Sequence, residues 1–324
     1  MSKQNTLMIM IGLPGSGKTT ATKYLKDEGY VVHSSDAIRE EFFGDEYNRD
    51  DNKFVFSTMF KRTKRDLEKD YNVVYDATNL SRKLRRNLIN QLRKYAGRVE
   101  GMLMLRSYED IIKYNKKRNF PMDVLFNYIR YFNIPNKQEG FDEINVSAIN
   151  NINTEPYNET EDSYNTVYNF IKSALKGEFN KDLYPYLHLF NNYNQNTPYH
   201  SLTLDEHLQT VYEESLKFKD KEVTIAALFH DIGKTKTRVE NKHGHSSYYG
   251  HENVSAYMFL LLEHKYNLSN RLYFDLEKVL DLISFHMRMH QLKTTKAKRK
   301  LIKEVGQDVY PHLCELYVCD LAGK

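Results

Sequence analysis

Tryptophan is absent from this chain, cysteine occurs only as Cys314 and Cys319, and no run of eighteen apolar residues appears. Each absence excludes something. Two cysteines cannot make a disulfide framework, so a reducing compartment is the default. Five residues apart, they offer at most half a zinc site and read better as small buried side chains on one helix. Without a long apolar run nothing is expected to span a bilayer. The apolar stretch near the N-terminus ends in a glycine-rich loop, with no small-residue cleavage site, and so reads as a first strand and not a secretion signal. The expectation is a cytoplasmic protein. The missing tryptophan, beside abundant tyrosine and asparagine, is a bias of composition without functional content.

What is present suffices for two cores: 324 residues, 40% of them hydrophobic. The net charge of +4 hides an asymmetry. Residues 1–150 hold 26 Lys+Arg against 20 Asp+Glu, and the remainder 21 against 23. The front half therefore leans weakly toward polyanions. There, short apolar runs at Leu7–Ile11, Tyr30–His33, Asn72–Asp76, Val99–Leu105 and Glu143–Val146 alternate with amphipathic charged segments. That rhythm predicts an α/β domain, a parallel sheet with helices on both faces. Residues 147–165 are polar and read as a connection. From about Tyr184 the pattern is helical, which predicts an all-α second domain. The expected boundaries are 1–155, a connection at 156–182, and 183–324.

Gly12-Leu13-Pro14-Gly15-Ser16-Gly17-Lys18-Thr19 matches the P-loop pattern G-x-x-x-x-G-K-[ST] between a strand and a helix. Glycines let backbone N–H groups turn inward around phosphate, and the helix N-terminus adds its dipole. Gly12, Gly15, Ser16, Gly17, Lys18, Thr19 and Thr20 are thus the candidate ATP-binding residues. Lys18 would bridge the β- and γ-phosphates, and Thr19 would ligate Mg²⁺. Asp36 follows the second strand, where a carboxylate faces the ligand crevice and can accept a proton from an attacking hydroxyl. Arg39, one turn on, can hold a phosphate of the acceptor. Asp76 ends an apolar strand in the form of a metal-orienting aspartate. From Thr78 to Arg98 come seven basic residues and no acidic ones. Such a run solvates a helix or, beside a phosphate-transfer site, guides a polyanion. Arg118 lies on a lid-like helix broken at Pro121 and can neutralise charge on the transferring group.

Taken together, Asp36 with Arg39, Asp76 with Thr78 and Asn79, and Asn115 with Arg118 resemble the phage-type polynucleotide 5′-kinase family over residues 5–150. That resemblance implies transfer of the ATP γ-phosphoryl group to a 5′-hydroxyl of RNA or DNA, with Asp36 as general base and Arg39 gripping the neighbouring phosphate. One position departs: Tyr114 stands where the family's lid carries an arginine. Kinases of small molecules share the first two motifs.

Most of the twelve histidines fall after residue 199. The order His207, His230-Asp231, His251, His286, Asp320 carries the signal. An adjacent His-Asp pair at the end of an apolar helix projects two ligands about 100° apart. With the surrounding blocks ALFHDIGK, YYGHENVSA and CDLAGK, residues 185–324 resemble the HD phosphohydrolase superfamily. The resemblance implies a first metal held by His207, His230, Asp231 and Asp320, and a second completed by His251 and His286 with Asp231 bridging. Imidazoles mixed with carboxylates suit one or two ions such as Mn, Fe, Co, Ni or Zn. Two such ions about 3.5–4 Å apart would activate water and clamp phosphoryl oxygens. Lys234, His200 and His245 are weaker phosphate contacts, and the basic cluster from Arg288 to Lys303 reads either as a phosphate rim or as a solvated face.

The two halves suggest one task. Fused polynucleotide kinase–HD proteins of this kind are RNA end-healing enzymes, which implies RNA (or DNA) ends as partners and an RNA ligase acting after them. Here the HD block comes second, where such fusions carry it first. A small-molecule kinase joined to an HD nucleotidase, or an ATP-binding nucleic-acid binder with an inactive HD domain, are the alternatives.

Overall fold

The structure, a computed structural model, describes residues 4–46, 50–148, 161–198, 201–242 and 244–324. It divides into two compact units: Met1–Tyr128 with Pro135–Ile152, and Ile129–Ile134 with Asn153–Lys324.

In chain order the first unit holds β1 (Thr6–Ile11), α1 (Lys18–Asp27), β2 (Val31–Ser34), α2 (Ser35–Phe43), α3 (Asn52–Glu68), β3 (Val73–Asp76), α4 (Arg82–Leu92), β4 (Arg98–Leu105), α5 (Tyr108–Lys117), α6 (Met122–Arg130), whose last two residues belong to the second unit, and β5 (Glu143–Ala148). Five parallel strands pair in the order β2-β3-β1-β4-β5. The central strands β1 and β3 read as unbroken apolar runs because helices and neighbours bury both faces. Leu7, Ile9 and Ile11 are fully buried, as are Val73 and Val74. Ser34 pairs in register with Asp76, so β2 and β3 end level with each other. Their carboxyl ends, with that of β1, put Asp36, Asp76 and the glycine-rich loop at one edge of the sheet, where open α/β sheets take ligands.

The basic run after β3 is largely structural. Arg85 is fully buried and meets Glu139 through Nε at 2.7 Å and Nη2 at 2.6 Å. Its Nη1 donates to the carbonyls of Asn79 and Leu80 at 2.8 and 3.0 Å. Arg82 also reaches Glu139, while Arg93 pairs with Asp142 and Arg98 with Glu100 and Glu143. The expectation that this run guides a polyanion is therefore corrected for these four arginines. Arg82 and Arg85 spend their charge inside the fold, where Arg85 fixes the loop behind Asp76, whereas Arg93 and Arg98 spend theirs in ion pairs at the surface.

The second unit holds α7 (Glu161–Ala174), α8 (Leu187–Phe190), α9 (Leu204–Ser215), α10 (Lys221–Phe229), α11 (Lys234–Thr237), a small hairpin of β6 (Val239–Glu240) and β7 (Ser246–Ser247), α12 (His251–Tyr266), α13 (Leu268–Leu272), α14 (Leu276–Met289), α15 (Thr295–Val305) and α16 (Val309–Ala322). Of the expected connection at 156–182, residues 161–174 form α7, which packs on α12 and buries Val167, Phe170 and Ile171. Residues 156–160 lie outside the described residues. Helices α9, α10, α12, α14 and α16 pack on one another as the core of this unit. α10 and α12 are apolar nearly all round because they are covered on every side. The segment Ile129–Ile134 docks on α12: Asn133 donates to Asn253 Oδ1 at 2.9 Å, and Asn253 donates to the Arg130 carbonyl at 2.8 Å. Cys314 and Cys319 lie on α16 as free thiols. Among the described residues no helix is long and apolar enough to cross a membrane.

Removing the guanidinium of Arg85 takes both short contacts from a buried carboxylate and leaves it only Arg82 at 3.4 Å. Arg85→Ala should cost about 3–5 kcal/mol, read as a lowered urea midpoint of the intact chain. A loss under about 1 kcal/mol, the size of a surface pair, would show that Glu139 is solvated.

Candidate active sites

The first site grows from the end of β1. Gly12, Gly15 and Gly17 turn the chain with φ of 158°, 80° and 101°, and Gly17 caps α1. A β-carbon on Gly15 would lie 2.8 Å from the Tyr114 ring and 2.9 Å from Asn115 Nδ2, so glycine is required by close approach as well as by φ. Lys18 curls over the loop and donates to the carbonyls of Gly12 and Leu13 at 2.9 and 3.0 Å. Thr19 and Thr20 are exposed on the first turn of α1, and Ser16 is buried. Asn79 ties the end of β3 to the loop, donating to the Met10 carbonyl at 2.7 Å, while the Gly12 amide donates to the Thr78 carbonyl at 3.0 Å.

Charge converges here. Burial pulls the Lys18 ammonium below its ordinary pKa, Asp76 and Asp36 pull it back, and Arg118 adds to the depression. Asp76 is pushed up to about 6, first by burial and then by Asp36, against Lys18 and a hydrogen bond from Ser34. Four of the five predicted charges, Lys18, Asp36, Asp76 and Arg118, therefore act on one small volume. Asp36 leaves 56% of its side chain exposed, whereas Arg39 is buried and holds Asp36 Oδ1 at 3.0 Å and Asn52 Oδ1 at 2.8 Å. Arg39 thus faces inward, orienting Asp36, and this geometry does not present it as a phosphate grip.

The lid carries a residue that sequence reasoning missed. Arg106, just past β4, donates to the Gly15 carbonyl at 2.7 Å and stacks 5.3 Å from the Tyr114 ring. Arg118 lies over the same ring at 5.5 Å and reaches Glu46 at 3.5 Å. Asn115 pins the helix to the loop by donating to the Pro14 carbonyl at 2.8 Å. Tyr114, in place of a lid arginine, is held between two guanidinium groups. The Arg106–Gly15 contact spans 91 positions, and no local pattern announces it.

The second site lies in the helical unit. His207 on α9, His230 and Asp231 at the end of α10, His251 opening α12, His286 on α14 and Asp320 on α16 are all at most 4% exposed. Gly233 makes the approach possible: a β-carbon there would lie 2.4 Å from the His251 carbonyl. Each imidazole commits Nδ1 to a backbone carbonyl, of Gly323, Ala227, Tyr248 and Ile283 respectively, at 2.7–3.0 Å. Every Nε2 then points inward as a lone pair. His207 and His230 bring theirs to 3.2 Å of each other, as do His251 and His286. Asp231 divides its oxygens between the pairs. Oδ2 lies 3.1 and 3.5 Å from His207 and His230, and Oδ1 3.0 and 3.4 Å from His251 and His286. Asp320 Oδ1 joins the first pair at 3.5 and 3.8 Å.

Lone pairs facing lone pairs inside a buried cluster repel unless a proton or a metal ion lies between them. The donor set fits two ions of the imidazole-favouring kind, with Asp231 shared. The electrostatics agree. Burial opposes charge on His230, yet Asp231 and Asp320 outweigh it and raise its pKa, while burial depresses His286. Asp231 and Asp320 stay far below the usual carboxylate range, because Lys234 and the imidazoles outweigh burial for the first and His230 and His290 do so for the second. Lys234 Nζ lies 2.6 Å from Asp231 Oδ2 and donates to Gln195 at 2.8 Å. His290, not anticipated from sequence, stands one turn beyond His286 and meets Asp320 Oδ2 at 2.6 Å, holding that carboxylate from behind. His245 sits exposed on the β6–β7 turn, away from the cluster, and His200 lies outside the described residues.

Each half of the chain matches a known family model. Residues 7–129 match the family model of the AAA domain, and residues 199–320 match that of the HD domain. The chain therefore joins a kinase-like P-loop domain to an HD domain. A chain of the solved "Structure of Pnkp1/Rnl/Hen1 complex" is 21% identical, with a TM-score of 0.34, over 49% of this chain and 50% of that one.

Because the facing Nε2 atoms and Asp231 fit a shared pair of cations, a transition ion should stabilise the chain. At a hundred times its Kd, Mn²⁺ should add about 2.7 kcal/mol, read as a shift of the urea midpoint that a chelator reverses. Asp231→Asn should lose that shift; an equal shift in the variant would contradict a shared carboxylate.

Proposed function

We propose that the chain heals broken RNA ends, adding a phosphate to a 5′-hydroxyl at the P-loop site and removing a 3′- or 2′,3′-cyclic phosphate at the HD site. The observation that supports this best is the pairing of opposite phosphate chemistries on one chain. An exposed carboxylate shares a crevice with a P-loop lysine in one unit, and a buried double cluster of imidazoles surrounds one carboxylate in the other.

At the first site, Gly12–Thr20 cradle the phosphates of ATP, with Thr19 and Asp76 on the side of Mg²⁺. Asp36 accepts the proton of the 5′-hydroxyl. The oxygen bonds to the γ-phosphorus, the bond to the β–γ bridging oxygen breaks, and ADP leaves. Lys18 and Arg118 oppose the charge that spreads over the transferring oxygens. Arg39 keeps Asp36 aimed, and Arg106 holds Tyr114 and through it Arg118. At the second site, His207, His230, Asp231 and Asp320 would hold one divalent ion, and His251 and His286 would complete a second with Asp231. When bound, these ions supply Lewis acidity toward a phosphoryl oxygen. Lys234, beside Asp231, adds a positive charge for the same oxygens. The resulting 5′-phosphate and 3′-hydroxyl ends are those an RNA ligase joins.

The two activities should separate. Asp36→Asn should lower 5′-phosphorylation of an RNA oligonucleotide by roughly 10²–10⁴-fold and leave 3′-phosphate removal intact; Asp231→Ala should do the reverse. Loss of both by either folded variant would contradict two independent sites. The Asp76 value adds a pH signature. A carboxylate with pKa about 6 is neutral below that pH, so kcat/KM for the kinase should fall about tenfold per unit under pH 6. A profile flat from pH 7 to pH 5 would remove Asp76 from the metal side of the site.

A further inference from the structure

The sequence holds two basic runs, and the structure separates them. Four arginines of the run behind β3 are paired with Glu139, Asp142, Glu100 and Glu143. The run from Arg288 to Lys303 holds seven basic residues, with Glu304 the single acid beside it. Arg288 meets Glu304 at 3.0 Å and Lys300 reaches it at 3.9 Å. Lys293, Lys296, Arg299 and Lys303 are exposed and make no ion pair among the described residues.

Their arrangement is ordered. Thr294 caps α15, accepting from the Ala297 amide at 3.1 Å. Leu301 and Val305 are buried under the helix. Lys296, Arg299, Lys300 and Lys303 follow at i, i+3, i+4 and i+7, so they share the outward face. From Lys296 to Lys303 the axial rise is about 10 Å. Helix α15 packs on α14 and α16, the helices that carry His286 and Asp320. His290 marks the rim, with 19% of its side chain exposed while it bonds Asp320, and Lys324 lies 3.4 Å from its other nitrogen. Lys293 follows three residues later, at most about 11 Å away between Cα atoms.

We propose that the outward face of α15 is a docking track for the phosphate backbone of a single-stranded nucleic acid whose 3′ end occupies the HD site. Charge complementarity selects this occupant. Of the four cations in this row only Lys300 reaches a carboxylate, and the other three repel one another without compensation, which a strand with regularly spaced phosphates relieves. A membrane surface fits less well, because the apolar side of α15 is already buried in the protein and leaves nothing to insert.

The inference rests on the end-healing reading and is tested apart from it. Binding of a fluorescent single-stranded RNA bearing a 3′-phosphate is followed by anisotropy over a range of KCl, using the full chain. Combining Lys296→Gln, Lys300→Gln and Lys303→Gln should flatten the slope of log K against log salt by about 2, at roughly 0.7 per lost phosphate contact. Replacing the same lysines by arginine should keep the slope. An unchanged slope in the glutamine variant, or equal flattening in the arginine variant, overturns the proposal, including when the glutamine variant instead loses binding to anionic vesicles or acidic peptide. If the slope flattens although the wild-type protein removes no 3′-phosphate, the track stands and the end-healing reading falls.

Discussion

The structure depends most on one carboxylate. Asp231 sits between two pairs of imidazoles whose lone pairs face each other, and each of its oxygens serves one pair. Around it α9, α10, α12 and α14 bring their ligands together at short range, and Gly233 has no side chain to obstruct the approach to α12. A buried anion that draws four imidazoles and a lysine around itself is costly in an unliganded fold. It is the arrangement expected where cations are to be held and phosphoryl oxygens polarised.

The P-loop unit solves a related problem with different parts. There, the anion to be bound arrives from outside, and the protein supplies backbone N–H groups, Lys18 and Arg118 in place of a metal cluster. The aspartates in this crevice differ in burial and so in task. Asp76 is deep and pushed up toward 6, as befits a group completed by a cation. Asp36 is solvent-facing and steered by a buried arginine, as the proposed role of meeting an incoming hydroxyl requires. On the proposed reading, two sites with opposite effects on phosphate give the chain a coherent chemistry: one end of a break gains what the other must lose.

Much of this was legible in the sequence, and the reason is local. A glycine-rich turn between strand and helix, or a His-Asp pair closing an apolar helix, needs its residue types within a few positions, so pattern and geometry coincide. The five strands were legible for the same reason, since central parallel strands must be apolar throughout. What escaped depends on distant partners. A run of cations looks alike whether Glu139 is waiting for it or solvent is, so Arg85 and Lys296 could not be told apart. Arg106 and His290 act through contacts with Gly15 and Asp320 that no spacing rule connects. The polar stretch near residue 160 hid the start of α7, whose apolar face shows only from Val167 onward.

The central claim is that one chain adds a 5′-phosphate and removes a 3′-phosphate. The most direct measurement is mass spectrometry of both fragments of an RNA cleaved to 2′,3′-cyclic phosphate and 5′-hydroxyl ends, after incubation with the intact protein, ATP, Mg²⁺ and Mn²⁺. The account predicts a 5′-monophosphate on one fragment and a 3′-hydroxyl on the other. Unaltered ends on both fragments, with ATP consumed only on small molecules, would contradict it.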